Sequence, residues 1–387
     1  MPIEKIKLAV KFKIDLTDVD ESVISEVHRL LTVYKEVVNN LINYAHAHQI
    51  TNHIKLCSVK YHEIREKYPI LPAKYIVCAC RHAIAIYDSF IKLKRRRLCK
   101  KEKPMLKKRV VWLQKRLFKL NMEGLRASIA VCDQKWVTVN LRHGKYYEKF
   151  RGMEVGEAIL KEEENGDIYL CVTFHKTVTL PEIDASAKIV AVDVNENNIV
   201  YGNDDFVERF ETDEGIIRTR YFLKRKRIRT KIRGRWSQMK VLRKYKGREW
   251  RRIKEIYYKA VREIISKAKE VGATVIVMED LRYLNNEDKG SEELNGRIHR
   301  WSYRRFQDIL EYQAKLASIN VKYVDPAYTS RTCPSCGNEL SQSPNGRRLM
   351  RCRRCGLEED RDVVAVKNLT RRYYEECANA RTPKTSL

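Results

Sequence analysis

No stretch of this sequence approaches the ~18 consecutive apolar residues that a membrane-crossing helix needs, and Met1 to Val10 lacks the apolar core of a secretory leader. A soluble, cytoplasmic protein with no membrane partner is expected. No internal repeat is evident, which leaves two or three ordinary domains as the expectation for 387 residues. Acidic residues are nearly missing from two segments: residues 91 to 120 hold one against 14 basic residues, and residues 216 to 260 hold two against 19. A solvated helix face carries balancing acids, so these clusters favour phosphate contact.

The whole chain carries 78 Lys and Arg against 50 Asp and Glu, a net charge of +28, and the two segments supply 33 of those 78. A polyanion, by default nucleic acid, is the implied partner. Candidate contacts are Arg95, Arg96 and Arg97 in the first cluster and Lys224, Arg225, Arg227, Arg229, Arg233 and Arg235 in the second. Trp236, flanked by Arg233, Gly234 and Arg235, is the stacking candidate for an unpaired base. Helical spacing makes Trp250 a core residue instead.

Eleven cysteines in a chain of this size fit a reducing compartment. Seven of them read as free thiols, Cys78 and Cys80 as core packing. The other four, Cys333, Cys336, Cys352 and Cys355, stand as C-x2-C-x15-C-x2-C with Gly337 and Gly356 following each pair. That spacing closes a tetrahedral structural zinc site, and four thiolates leave no open position for water.

Seven residues beyond the last cysteine comes Asp362, followed by the apolar, helix-forming run Val363, Val364, Ala365, Val366 and Leu369. Its partners are sought where other buried-strand patterns meet an acid. KIVAVDV at 188 to 194 contains Asp193, and ATVIVMEDL at 273 to 281 ends in Glu279 and Asp280. Charged residues are rarely buried alone, and hard oxygen donors suit Mg²⁺ or Mn²⁺. Asp193, Glu279 and Asp362 are the candidate catalytic set, with Asp280 and Asp360 as the alternative ligands.

In order, AVDVNENN (191 to 198), VMEDL (277 to 281), TSRTCPSCG (329 to 337) and CRRCGLEEDRD (352 to 362) resemble TnpB. TnpB is the transposon-encoded nuclease family with a RuvC-type RNase H-like domain, related to compact type V CRISPR effectors. The resemblance spans most of the chain. Two positions depart from it: Asn195 stands where a glycine is expected after the first Asp, and Val364 where an asparagine is expected after the last.

The resemblance implies an α+β / α/β multidomain fold, an N-terminal β barrel with a helical insertion and then an RNase H-like (RuvC) domain with an inserted zinc ribbon. Barrel segments are expected at 1–15 and 125–182, with turns at His143-Gly144 and Asn165-Gly166. A helical recognition lobe is expected at 16–124, and the nuclease domain at 183–327 and 357–372. The ribbon would occupy 328–356 and a flexible tail 373–387. Two long helices are predicted over 216–246 and 248–271, and an irregular loop, a candidate lid, over 285–295. The implied activity is RNA-guided, two-metal hydrolysis of DNA, with guide RNA from a transposon end and target DNA as partners, the protein a monomer on its RNA and near the nucleoid of a prokaryotic host. The rival reading is a noncatalytic zinc-ribbon nucleic-acid binder, a guided repressor or transposition accessory. A strand-transferring transposase ranks third.

Overall fold

The computed structural model describes residues 2–17, 19–142, 144–245, 247–282 and 291–381. The chain forms two compact units, one of Lys5–Lys176 and one of Met1–Glu4 with Thr177–Leu387.

The first unit opens on β1 (Ile3–Asp15), whose alternating IEKIKLAVKFKI pattern buries Val10, Phe12 and Ile14 on one face. Three helices follow: α1 (Glu21–Ala47), α2 (His53–Lys67) and α3 (Ala73–Arg95). The Asp20 carboxylate caps α1 by accepting from the Ser22 amide at 2.9 Å. Strands β2 (Val110–Leu113), β3 (Phe118–Asn121), β4 (Arg126–Ala130), β5 (Trp136–Leu141), β6 (Glu154–Glu162) and β7 (Ile168–Thr179) complete the unit.

Two expectations are corrected here. Residues 110–121, expected to be helical, are β2 and β3, which pair with β6 and β4. Their short V-V-W-L and F-K-L-N patterns lie within the strongly basic segment, which masked the strand signal. The sheet order is β2-β6-β7-β1-β5-β4-β3, and among the described residues no pairing of β2 with β3 closes it into the expected barrel. Its inner face is covered instead: α1 packs on β2 and β5, α3 on β2, and Leu30, Tyr34, Tyr75, Val111, Ile129 and Phe174 share one core. The turn expected at His143-Gly144 falls on His143, which lies outside the described residues; the next segment, Lys145–Phe150, is a 3-10 helix.

The second unit is built on β8 (Ile189–Val194), β9 (Asn198–Gly202) and β10 (Val207–Glu211), an antiparallel meander as expected. Then come α4 (Glu214–Lys231), α5 (Arg235–Tyr245), α6 (Arg248–Glu270), β11 (Val275–Glu279), α7 (Glu292–Arg300), α8 (Tyr303–Leu316) and β12 (Asn320–Val324). The sheet order is β10-β9-β8-β11-β12, with β8, β11 and β12 mutually parallel. Both faces of β8 and β11 are covered, which is why these strands read as continuous apolar runs. Tyr257, Ile264, Phe306 and Leu310 of α6 and α8 cover one face. Val366, Leu369 and Tyr373 of α9 (Arg361–Arg381) cover the other.

The helix predicted over 216–246 is interrupted: Ile232 leaves the helix with extended backbone (φ −96°, ψ 118°) and α5 starts at Arg235. The loop expected at 285–295 lies largely outside the described residues, and from Glu292 the chain is helical. The expected tail at 373–387 is helical through Arg381, with Tyr373 fully buried, and 382–387 lie outside the described residues. Between β12 and α9, β13 (Leu340–Gln342), β14 (Leu349–Cys352) and β15 (Glu358–Asp360) form a small antiparallel sheet that carries the cysteine motif and runs past the predicted ribbon boundary at 356. No helix among the described residues is long and apolar enough to cross a membrane.

Candidate metal centres and nucleic-acid surface

Strand register explains how acids distant in sequence meet. On the parallel pair, Met278 of β11 aligns with Val192 of β8, so the next residues, Glu279 and Asp193, fall side by side at the carboxyl ends of adjacent strands. Open α/β sheets bind ligands at that edge. Helix α9 packs across β8, β9, β11 and β12 and brings Asp362, in its first turn, to the same edge. All three carboxylates line one cavity of about 770 Å³, with Asp280, Thr329 and Arg361 also on its wall.

The acids differ in their partners. Asp193 is 6% exposed, and its carboxylate accepts from Asn195 Nδ2 at 2.7 Å. Burial raises its pKa well above the usual carboxylate range, and the nearby Glu279 and Asp362 raise it further. Glu279 is raised by burial while accepting from the Thr329 hydroxyl at 2.7 Å. Asp362 is also raised by burial, countered by Arg348, which pairs with it directly; Arg209 lies 3.4 Å away. Asp193 and Glu279 have no ion-pair partner among the described residues. Asp193, buried without an ion pair beside the half-buried Glu279, is costly unless a proton or a cation joins it, and carboxylate oxygens suit a hard divalent ion.

Of the alternative ligands, Asp280 lines the same cavity but is held by the Arg282 guanidinium, and Asp360 pairs with Arg209 at 2.9 Å and with Arg348 at 3.5 Å. Both departures from the TnpB pattern have a physical role here. Asn195 supplies the amide that holds Asp193, and Val364 is fully buried with Leu340, Cys333 and Cys352. Several residues went unassigned by sequence reasoning. Thr329 stands inside the quoted TSRTC motif, and Asn368 donates to the Thr329 and Thr332 carbonyls, both at 2.7 Å, fastening that loop to α9. Arg348 and Arg209 are ordinary basic residues in sequence, and only folding brings them to Asp362.

The four cysteines lie within 4.8 Å of one another, the one such group of metal-ligating side chains among the described residues. Each pair makes a tight knuckle in which the amide of the glycine directly after its second cysteine turns back to the first: Gly337 N donates to Cys333 O at 2.9 Å and Gly356 N to Cys352 O at 3.1 Å. Gly337 and Gly356 take φ of +75° and +78°, which side chains tolerate poorly. Closed all-sulfur coordination fits a structural zinc ion. None of the eleven cysteines is in a disulfide, and Cys78 and Cys80 are core residues.

The basic clusters are exposed. Arg95, Arg96 and Arg97 form the exposed end of α3. Beyond its first turn α4 has no buried residue, and α5 has none at all. Lys224, Arg227, Arg229, Arg233 and Arg235 are exposed, Trp236 is 77% exposed, and Arg225 pairs with Glu249. Like charges at helical spacing repel, so such helices gain from an anionic partner. Trp250 packs against Tyr257.

This arrangement defines a class: a basic, mixed α+β protein with acids gathered at a sheet edge and a four-cysteine ribbon. Residues 303–369 match the family model described as "Cas12f1-like, TNB domain", and residues 30–128 that of the "Uncharacterized protein MJ0013 family". TnpB-like protein MJ0751 of Methanocaldococcus jannaschii is 32% identical over 292 residues, covering 70% of this chain and 98% of that protein. The CRISPR-associated endodeoxyribonuclease Cas12f1 of Sulfoacidibacillus thermotolerans is 38% identical over 108 residues, 28% of this chain and 24% of that one. The fold resembles that in the Cas12f1-sgRNA-target DNA complex, with a TM-score of 0.59 at 15% identity, covering 95% of this chain and 99% of that one. The chain belongs to the TnpB-like family.

Proposed function

We propose that this protein is an RNA-guided, Mg²⁺- or Mn²⁺-dependent DNA endonuclease of transposon origin, with a RuvC-type active site. The observation that carries this reading is the meeting of Asp193, Glu279 and Asp362 on one cavity wall, with Asp193 buried and free of any ion pair among the described residues. Divalent ions held by these three acids would activate water and stabilise the leaving oxygen of a phosphodiester. The chain's own part is to hold the donors still. Asn195 orients Asp193, Thr329 orients Glu279, and Asn368 holds the Thr329 loop on the helix that carries Asp362. Arg361, exposed on the cavity wall, is placed to receive the substrate phosphate.

Under this reading the zinc ribbon braces the start of α9. Residues 183–327 and 357–372 form the nuclease domain, and the N-terminal sheet and helices grip the guide RNA. Guide pairing would open the target duplex and deliver single-stranded DNA to the acids. The family's relatives support guidance: the Cas12f1 structure is described as a complex with sgRNA and target DNA.

The test is cleavage of a target plasmid in Mg²⁺ by the RNA-loaded wild-type protein and by Asp193→Ala. Cutting by the wild type alone, with binding intact in both, is expected. Equal cutting by both excludes the site, and binding without cutting by either favours the noncatalytic reading. Sequencing the copurified RNA tests guidance separately: a discrete transposon-end RNA is expected, and bulk heterogeneous RNA would count against it.

A further inference from the structure

A second cavity of about 800 Å³ lies between α4, α5, α6 and the start of α8, and the acids described above take no part in it. Seven arginines and one glutamate line it, together with Tyr245, Trp250 and Trp301. That size lies within the range of small-ligand sites. The one glutamate, Glu249, is already engaged by Arg218 at 3.2 Å and by Arg225. Arg229 and Arg243 have no acidic partner among the described residues.

The cavity is built on a buried polar knot. Glu214, 1% exposed, accepts from Arg218 Nε, Tyr257 Oη and the Ser302 amide, tying α4, α6 and α8 together beneath the arginines. Cations attend the rings of its wall: the Arg305 guanidinium, also on the wall, lies 4.5 Å from the Trp250 ring centre, and Lys224, outside the lining, lies 4.3 Å from that of Tyr245. Flat aromatic and guanidinium faces with unpaired arginines between them suit an unstacked base and its flanking phosphates. Trp301 also lines the carboxylate cavity, so one side chain forms part of both walls.

We propose that this cavity holds an unpaired nucleotide of the DNA single strand that is cut at the neighbouring acids, its base against Trp250 and Tyr245 and its phosphates on Arg229 and Arg243. The assignment to the strand being cut rests on the nuclease reading above. The cavity anchors the strand on one side of Trp301 while the scissile bond lies on the other.

The test measures binding of an oligothymidylate carrying one 2-aminopurine to the full-length, RNA-loaded protein in the Asp193→Ala background. Cleavage is silent there, so a failed nuclease assay with the wild type leaves this measurement readable. Arg229→Gln with Arg243→Gln should weaken binding about 10-fold and lower the slope of log affinity against log salt by about 1.4, at ~0.7 per phosphate contact on a single strand. Lys226→Gln with Lys240→Gln removes the same charge from exposed positions of α4 and α5 outside the cavity and should change affinity no more than ~2-fold. Trp250→Leu should abolish quenching of the 2-aminopurine, with the melting temperature reporting that the fold persists. Equal losses in the two double variants would show only a general basic field and overturn the proposal. So would wild-type binding by the arginine variant, or losses confined to an RNA oligomer of the same sequence.

Discussion

The two compact units bury different kinds of side chain. In the N-terminal unit the described buried polar residues are Lys60 and His82, and the rest of that core is aliphatic and aromatic. The C-terminal unit buries Asp193, Glu214 and Asp362 outright, with Gln307, Thr329 and Asn368 beside them. Burying a charge costs several kcal/mol unless it is partnered; Glu214 and Asp362 meet that cost with arginines, whereas Asp193 has no ion pair among the described residues, which marks its sheet edge as a place held for chemistry. In the N-terminal unit Lys60 pairs with Glu63, and His82 meets the cost by neutrality: it stacks on Trp112 at 4.5 Å, and burial pushes its pKa down to about 4.

The sharpest break between the units should come from removing zinc. Structural zinc sites contribute on the order of 10 kcal/mol, so a chelator should strip hydrogen-exchange protection from β13 to β15 and the first turns of α9. Helices α1 to α3 should keep theirs. Unchanged exchange in the ribbon with zinc demonstrably absent would contradict the structural role. Next in size, Asp193→Ala should lower Mg²⁺-dependent plasmid cleavage by at least ~10³-fold, about 4 kcal/mol in the barrier, while leaving the N-terminal unit's exchange pattern untouched.

The N-terminal unit should show its own signature in acid. Its His82 pKa in the folded state lies below the unfolded value of 6.5, so the unfolded chain takes up the proton first. The stability this provides is complete above pH 6.5 and is lost as pH falls towards 4, by up to about 3 kcal/mol. His82→Leu should remove that part of the slope in denaturant melts followed on α3, and an unaltered slope would assign it elsewhere. Smaller again, Val364→Asn places an amide in the seam between α9 and the ribbon and should cost about 1–3 kcal/mol, read as a lower melting temperature of the C-terminal unit. Arg209→Gln loses only partly exposed pairs with Asp360 and Asp362 and should change stability by less than ~1 kcal/mol.

What could be read from sequence follows from how far each feature reaches along the chain. The cysteine knuckles are local, and Cys333 to Cys355 carry their own spacing and turns. The strands β8 and β11 are legible because burial on both faces leaves an uninterrupted apolar run in which an acid stands out. Their adjacency is a matter of register and was legible only through the resemblance. Local exceptions defeated the periodic reading: Ile232 and Gly234 (φ +88°) break a helix whose basic composition continues on both sides, and β2 and β3 are too short to outweigh the lysines around them. Partners such as Arg348 for Asp362 exist only after folding.

Asn368 joins these observations. Its one amide holds the loop that presents Thr329 to Glu279, and it does so from the helix whose first turn bears Asp362. Two of the three acids therefore share a single mechanical support, which in turn rests on the ribbon through Val364. Partial withdrawal of zinc would then divide the molecules into working and idle ones: turnover per active molecule stays constant while the active fraction falls.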